Sequence, residues 1–533
     1  MEEKSVGRSF LILSVAGILV KILSAAYIPL LRAIIGKQGI GIYNASYSYF
    51  VFILAITSLG AQPAVAKVVS ELRALGHEED ALRAMRLSRR YLAIIGAIIT
   101  IGFMLLIKPI AKLTQWENVT LSLMFLAPTV FFSCILATYR GYLQGIEEMK
   151  TLAVSQVIEQ IVNVVLSLAF AFVFISISVE WGSAGGTVGT TIGAVVALIF
   201  ILIVYDKKGF AENIENESSE SHFSDRKILK KLIQYGVPII LVAALQNSSG
   251  MIDTINVKAR LLSSGFSDSN AEELFGILGC YNTLLYVPLS IVTALSAAVF
   301  PRIIQAFTVK NRKELKSQIS YSFRLTYLVT IPAAFGLSML SKDVYTMIYG
   351  STEGYQLLMY GSVVLVLMSL SAIQNTILQG MNKLYLVLST AFLSIVIKFV
   401  INYILVGIKD VNILGAVFAS FFAFLVPTII NHNRLRKIFK IRIPIIKLGI
   451  MPVISSCIMA LTIYLCKIPV ERIMNILEGG RLLTSIFVLI LISIGGVVYF
   501  ISMIMLGGIN KKDLDMISPR IFTMLPRFLR KNM

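Results

Sequence analysis

A handful of ionisable residues fall where the surrounding sequence is too apolar to hold them cheaply, and they mark where this chain could do chemistry. They are Lys21, Arg32, Glu159, Asp253 and Lys398, with Lys258 and Arg260 just beyond Asp253. An ionised side chain at the middle of a bilayer costs roughly 2.5–3.5 kcal/mol on insertion scales, so one that persists there faces a partner or a water-filled cavity. Lys21 and Arg32 stand eleven residues apart in one apolar run, about three helical turns, and so share nearly one face. Two readings are open. In the first, Glu159 pairs with Lys21 or Lys398 as a buried structural ion pair, while Arg32 and Arg260 extend to the interface. In the second, Lys21, Arg32, Arg260 and Lys398 line a cavity whose surplus of positive charge receives an anionic group, and Glu159 and Asp253 orient those cations or sense protons or sodium.

Only membrane-spanning helices could position such groups. The 533 residues are 56% hydrophobic with a mean hydropathy of +0.81, too apolar for a soluble domain built around one core. Apolar runs of about 20 residues recur from end to end, each long enough to cross a hydrocarbon layer of roughly 30 Å. Alternating strand patterns are absent, which leaves helix as the way to satisfy backbone in lipid. The expected architecture is an all-α polytopic membrane protein with about fourteen spans: 9–35, 41–66, 91–113, 118–145, 151–178, 182–205, 231–258, 275–306, 318–342, 354–381, 384–408, 412–432, 444–468 and 482–506. Pro29, Pro128, Pro238, Pro288 and Pro332 fall inside spans and are expected to bend them. Gly185, Gly189 and Gly193 recur every four residues, a smooth face on which a second helix can pack closely.

The spans carry an internal duplication. An offset of about 238 residues superposes Gly41, Tyr43, Asn44, Ser58 and Pro63 on Gly279, Tyr281, Asn282, Ser296 and Pro301. At nearly the same offset Leu143-Gln144-Gly145 matches Leu378-Gln379-Gly380, each followed by an apolar segment with an embedded asparagine, Asn163 or Asn402. Two signals in the same order predict two parallel six-span lobes, 1–205 and 231–432, joined by a polar linker at 206–230. The spans within 444–506 fall outside the duplication, and 507–533 form a basic amphipathic tail suited to an interface. Tyr43, Asn44, Tyr47, Asn163, Tyr281 and Asn282 either face the same cavity and contact sugars or pack between helices.

The net charge of +19 would suggest nucleic acid in a soluble protein. Here roughly 34 of the 48 Lys and Arg fall in one alternating set of connections and roughly 10 in the other, which is the positive-inside signal and places both termini in the cytoplasm. That set runs Lys67 to Arg90, Arg140 to Lys150, Lys207 to Lys231, Arg302 to Lys316, Lys383, Arg434 to Lys447 and the tail. Cys134, Cys280, Cys457 and Cys466 show no metal or disulfide spacing and are expected as core thiols. His77, His222 and His432 all fall in connections, which makes a histidine metal site improbable, and Asp513-Leu-Asp515 sits among lysines in the tail. The first residues lead into a long span without a small-residue cleavage site, so they are expected to be retained. No phosphate-binding loop, HExxH helix or nucleophile elbow is present, so transport is favoured over catalysis and no cofactor is expected; energy must come from sodium or proton coupling, the membrane potential or the substrate's own gradient.

The run Val20-Lys-Ile-Leu-Ser-Ala-Ala-Tyr-Ile-Pro-Leu-Leu-Arg-Ala-Ile-Ile-Gly36, then Gly39-Ile-Gly-Ile-Tyr-Asn44, Gly60-Ala-Gln-Pro-Ala-Val-Ala-Lys67 and Tyr139-Arg-Gly-Tyr-Leu-Gln-Gly145 resemble one family. It is the stage V sporulation protein B and polysaccharide-transporter branch of the multidrug/oligosaccharidyl-lipid/polysaccharide exporter superfamily. The resemblance covers essentially the whole chain. It implies a flippase of the bacterial cytoplasmic membrane that moves undecaprenyl-pyrophosphate-linked saccharides outward by alternating access, with lipid II the leading candidate. It also implies a groove for the polyprenyl tail in the last two spans. Membrane lipids and the wall-synthesis machinery are expected as partners, nucleic acid is not, and the protein is expected to function as a monomer. Lipid II flippases of Gram-negative bacteria carry an Arg-Asp pair where this chain has Tyr27-Ile28, so Lys21 and Arg32 stand in on position alone. The competing readings are a multidrug cation antiporter of the same superfamily, a membrane enzyme of wall synthesis, and a non-transporting assembly factor for wall or spore cortex.

Overall fold

The computed structural model describes residues 2–209, 222–381, 383–440, 443–476 and 480–509. Among them every regular element is helical. In chain order the helices are α1 Glu2–Leu54, α2 Ala61–Ala74, α3 Glu78–Leu113, α4 Thr120–Gly145, α5 Met149–Phe174, α6 Val179–Lys207, α7 Asp225–Ser263 and α8 Asp268–Thr308. They continue as α9 Arg312–Met339, α10 Ser341–Tyr349, α11 Tyr355–Gly361, α12 Val363–Gly380, α13 Leu384–Leu405, α14 Leu414–Phe439, α15 Ile445–Ile476 and α16 Arg481–Met505. The tail from residue 510, including Asp513 and Asp515, and residues 210–221 of the linker lie outside the described residues.

Among the described residues twelve stretches are long and apolar enough to cross a membrane, and the pair α9 and α10, bent by 82°, makes a thirteenth. The first stretch, Leu19–Ala74, has 56 residues, about 84 Å of helix against a hydrocarbon layer of about 30 Å. Gly36, at φ 73°, breaks α1 within it. A side chain is strained at that φ, and glycine is not, so the break falls where the sequence places the gap between its first two spans. Counted as two crossings, this stretch brings the total to the expected fourteen. Pro29, Pro128, Pro238 and Pro332 lie inside α1, α4, α7 and α9.

The chain gathers into two compact units, Met1–Cys280 with Lys383–Ala419, and Tyr281–Asn382 with Ser420–Met533. This division does not run at the linker, because α7 docks on the first-half helices and α13 docks on α7. Close approach requires glycine here: a Cβ on Gly60 would lie 2.6 Å from the Ile240 Cα, and one on Gly250 would lie 3.2 Å from the Ser48 hydroxyl. The Gly185, Gly189 and Gly193 stripe packs on the backbone of α5, at Phe170, Asn163 and Glu159 in turn. That outcome is the one its spacing predicts.

In the second unit α15 and α16, the spans outside the duplication, are tied to their neighbours by polar bonds. Arg481 donates from Nε and Nη2 to the Met347 and Ile348 carbonyls at 3.1 and 2.8 Å, meeting the free carbonyls at the end of α10. Lys467 of α15 pairs with Asp343 of α10 at 2.6 Å, and the Tyr499 hydroxyl of α16 donates to the Leu328 carbonyl of α9 at 3.1 Å. The cysteines are all free; Cys134 and Cys280 are buried as expected, whereas Cys457 is exposed on α15 and is not a core thiol.

Candidate functional site

Two of the expensive charges neutralise each other. Ser249 and Asp253 are one turn apart on α7, and Lys398 and Asn402 are one turn apart on α13, so each pair shares a helix face. The Lys398 Nζ lies 2.6 Å from Asp253 Oδ2 and donates to the Ser249 hydroxyl at 2.7 Å. Asn402 donates to Asp253 Oδ1 at 2.8 Å. Lys398 and Asp253 are both only 5% exposed, so the Lys398 ammonium is neutralised rather than surplus, and the cation that Asp253 contacts is Lys398. Removing one member of such a pair strands a buried charge and typically costs about 3–5 kcal/mol. Lys398→Met is therefore expected to lower the thermal midpoint of the detergent-solubilised protein sharply, and adding Asp253→Leu to recover most of the loss; equal midpoints for single variant and parent would mean that water reaches the pair.

Glu159 pairs with neither Lys21 nor Lys398. Its carboxylate meets Arg140 Nη2 at 2.7 Å, and Arg140 also donates from Nε to the Ser155 hydroxyl at 3.1 Å. Arg140 is buried inside α4, one helix earlier, rather than lying in a polar connection. The α4–α5 hairpin brings the two together, so proximity in the chain outcompetes the distant lysines. Asn163 is engaged in helix packing: its Oδ1 accepts from Ser167 and Thr190 hydroxyls at 3.1 and 3.2 Å, bridging α5 and α6. Outside the spans, burial pushes the Glu148 carboxyl up, but hydrogen bonds from Lys208 and Thr151 outweigh it and hold the group below the usual carboxylate range.

Arg32 is buried, with Nη1 donating to the Cys280 sulfur at 3.6 Å, and does not extend to an interface. Arg260 is half-buried, its guanidinium 4.2 Å from the Tyr403 ring centre and covering Gly407. Lys21, by contrast, is exposed on α1 and meets no hydrogen-bond or ion-pair partner among the described residues. Tyr43 is buried in an aromatic ladder, 5.9 Å from Tyr27 and 5.4 Å from Tyr47, and the Tyr27 hydroxyl donates to the Gly186 carbonyl at 2.6 Å. Tyr281 donates its hydroxyl to the Gly361 carbonyl at 3.0 Å, and Asn282 is half-buried. Asn44 packs on Gly279, where even a Cβ would overlap its amide. Of these aromatic and amide groups, Tyr43 and Tyr281 are thus structural rather than sugar-facing.

A second buried cluster escapes sequence reasoning. Lys258 is 1% exposed, pairs with Glu272 at 2.8 Å and Asp268 at 2.9 Å, and lies 4.4 Å from the Trp116 ring centre. Glu272, fully buried, also accepts from Gln38 at 2.9 Å and from Asn118 at 3.1 Å. The one signal in the sequence is the persistence of Lys258 and Glu272 beside long apolar runs. Both sit at expected span ends, where charge is ordinarily hydrated.

The second unit contains an apolar groove of about 900 Å³. Its walls come mainly from α9, α12 and α15, with α11 and α14 adding Met359, Tyr360 and Phe421, and Tyr327, Phe335, Val363, Leu367, Ile450 and Val453 are among the lining side chains. Its hydroxyl groups are those of Ser338, Ser362, Tyr327 and Tyr360, and no charged residue lines it among the described residues. It accommodates an extended hydrocarbon better than an ion or a sugar.

Comparison with known proteins places this geometry. The chain is 24% identical over 528 residues to the lipid II flippase MurJ of Bacillus subtilis (strain 168), covering 95% of this chain and 96% of that one. Stage V sporulation protein B of the same organism is 23% identical over 447 residues, 84% of this chain and 86% of that one. A solved structure of lipid II flippase MurJ in an inward closed conformation superposes with a TM-score of 0.67 at 14% identity, over 93% of this chain and 97% of that one, which establishes a shared fold. Residues 6–307, more than half of the chain, match the model of the polysaccharide biosynthesis protein family, and the chain belongs to that family.

Proposed function

We propose that this protein is a flippase that carries a polyprenyl-pyrophosphate-linked saccharide, with lipid II as the leading candidate, from the inner to the outer leaflet of a bacterial cytoplasmic membrane by alternating access. The observation that carries the reading is the apolar groove of the second unit, one wall of which is α15, a helix outside the duplication. A polyprenyl tail needs such a surface, and a small hydrophilic cargo does not. Near full-length similarity to a lipid II flippase supports the same reading. The headgroup needs positive charge that is not already neutralised, and Lys21 fits that need better than Lys398, whose ammonium belongs to Asp253. Resetting then draws on the membrane potential or on a cation gradient.

The deciding experiment depletes the protein and asks on which leaflet lipid II accumulates. Accumulation on the inner leaflet is expected; unchanged outer-leaflet labelling would overturn the assignment of substrate. A hydrogen-bonded pyrophosphate–ammonium contact is worth about 1.5–3 kcal/mol, so Lys21→Glu is expected to slow headgroup translocation in vesicles about ten- to hundredfold. Because Lys21 is exposed, insertion and thermal midpoint should be unchanged. Parent-like translocation by this variant would remove Lys21 from the headgroup site.

A further inference from the structure

The chain has three histidines in 533 residues, and two of them, 145 positions apart, touch. The His77 and His222 ring centres are 4.2 Å apart with the planes inclined by 38°. His77 immediately precedes the first turn of α3, and His222 lies in the segment leading into α7. Asp80, in that first turn, holds the two segments together. It is 1% exposed, and its Oδ2 accepts from the backbone N–H groups of both His222 and Phe223 at 3.1 Å. Arg83 adds a contact to Asp80 Oδ1 at 3.5 Å, donates to the Phe223 carbonyl at 3.1 Å and pairs with Asp225. The His222 backbone is therefore fixed beside His77 by groups other than the imidazoles themselves. Placement in separate connections, which argues against a histidine site in the sequence, is overcome by this docking.

We infer that His77, Asp80 and His222 form a binding site for one transition-metal dication of the zinc class. One ligand atom from each residue lies within 4.8 Å of the others. Nitrogen and oxygen ligands at about 2.0–2.2 Å from a tetrahedral zinc ion stand about 3.3–3.6 Å from one another, so closure requires only small side-chain rotations. His222 is exposed and has room to make them. Two imidazoles and one carboxylate select zinc, nickel or copper over magnesium or calcium, which prefer all-oxygen shells. The backbone N–H groups and Arg83 around Asp80 supply the outer hydrogen bonds that orient a ligating carboxylate. Water completes the coordination at the exposed side. The neighbouring acidic groups Glu79 and Asp225 favour a cation, whereas Arg83 opposes it, and Glu78 is already paired with Arg73. Metal in this position clips the α2–α3 connection to the segment that enters α7, a role independent of which substrate the protein carries.

The test uses the full chain without a histidine tag, solubilised in detergent, stripped with chelator and titrated with zinc chloride in a calorimeter, with magnesium chloride as the control. Saturable binding of one zinc per chain is expected, together with a zinc-dependent rise in thermal midpoint and no response to magnesium. His222→Ala and His77→Ala should each weaken binding at least about tenfold, the loss of one of three protein ligands. His222→Ala should keep the parent's metal-free midpoint, and it alone decides the matter if His77→Ala lowers that midpoint. Absence of saturable zinc binding by the parent, or parent-like affinity in the doubly substituted chain, would overturn the assignment.

Discussion

Gly41→Leu is expected to yield no folded, monodisperse protein, and Gly41→Ala to lower the thermal midpoint measurably. At Gly41 the backbone of α1 touches the backbone of α8, and a Cβ there would overlap the Glu272 carbonyl. The contact is close from the other side as well, since a Cβ on Gly276 would lie 2.5 Å from the Lys37 carbonyl. Overpacking usually costs about 1–3 kcal/mol, and here the obstructing atoms are main chain, which cannot rotate away. The helices must separate, and the Gln38–Glu272 hydrogen bond lengthens with them. Gly102 supplies the control, because nothing lies within 4 Å of the position that an added methyl group would take there; Gly102→Ala should be neutral or stabilise α3 by up to about 1 kcal/mol. Size-exclusion profiles and melting curves of the solubilised variants distinguish the cases. Equal behaviour of the Gly41 and Gly102 alanine variants would show that α1 and α8 do not meet as described.

Lys258→Ala is expected to be the most damaging charge removal in the chain. It would leave Glu272 fully buried without its ammonium partner and would uncover the Trp116 face. Breaking a buried pair from one side typically costs about 3–5 kcal/mol. Gln38 and Asn118 still donate to Glu272, so the damage stays below that of a bare carboxylate. Lys258→Met with Glu272→Leu removes both charges and should recover part of the loss, limited by the two amides it leaves without an acceptor. The measurement is again the melting midpoint, supported by yield. A Lys258→Ala midpoint within error of the parent would mean that solvent enters through Asp268, whose side chain is 57% exposed.

Hydropathy makes the crossings legible, and glycine spacing makes the α5–α6 contact legible, because both properties are local and periodic. The Gly36 break is also readable as the gap between two apolar runs. Charge pairing is not readable in this way. A hydropathy window says that Glu159, Asp253 and Lys398 are expensive, yet it carries no information on which helix face each occupies or which helix lies opposite. Lys398 and Asp253 are 145 residues apart, and their meeting depends on α13 docking on α7. Arg140 falls inside the expected span 118–145 yet is grouped by charge with the connection that follows; α4 does run to Gly145, and what the sequence hides is that Arg140 turns inward to Glu159. The same effect hides the Lys258 cluster: α7 extends to Ser263 and α8 begins at Asp268, so residues expected at span ends are enclosed by helix. Tyr43 and Asn44 stand out by repetition, and repetition alone does not separate a cargo contact from a packing contact.

The meeting of Asn44 with Gly279 couples the two positions. A side chain at 279 would occupy the space of the Asn44 amide, so replacing the glycine forces residue 44 to swing away or shrink. A drift at either site is therefore constrained by the other, although 235 positions of chain separate them.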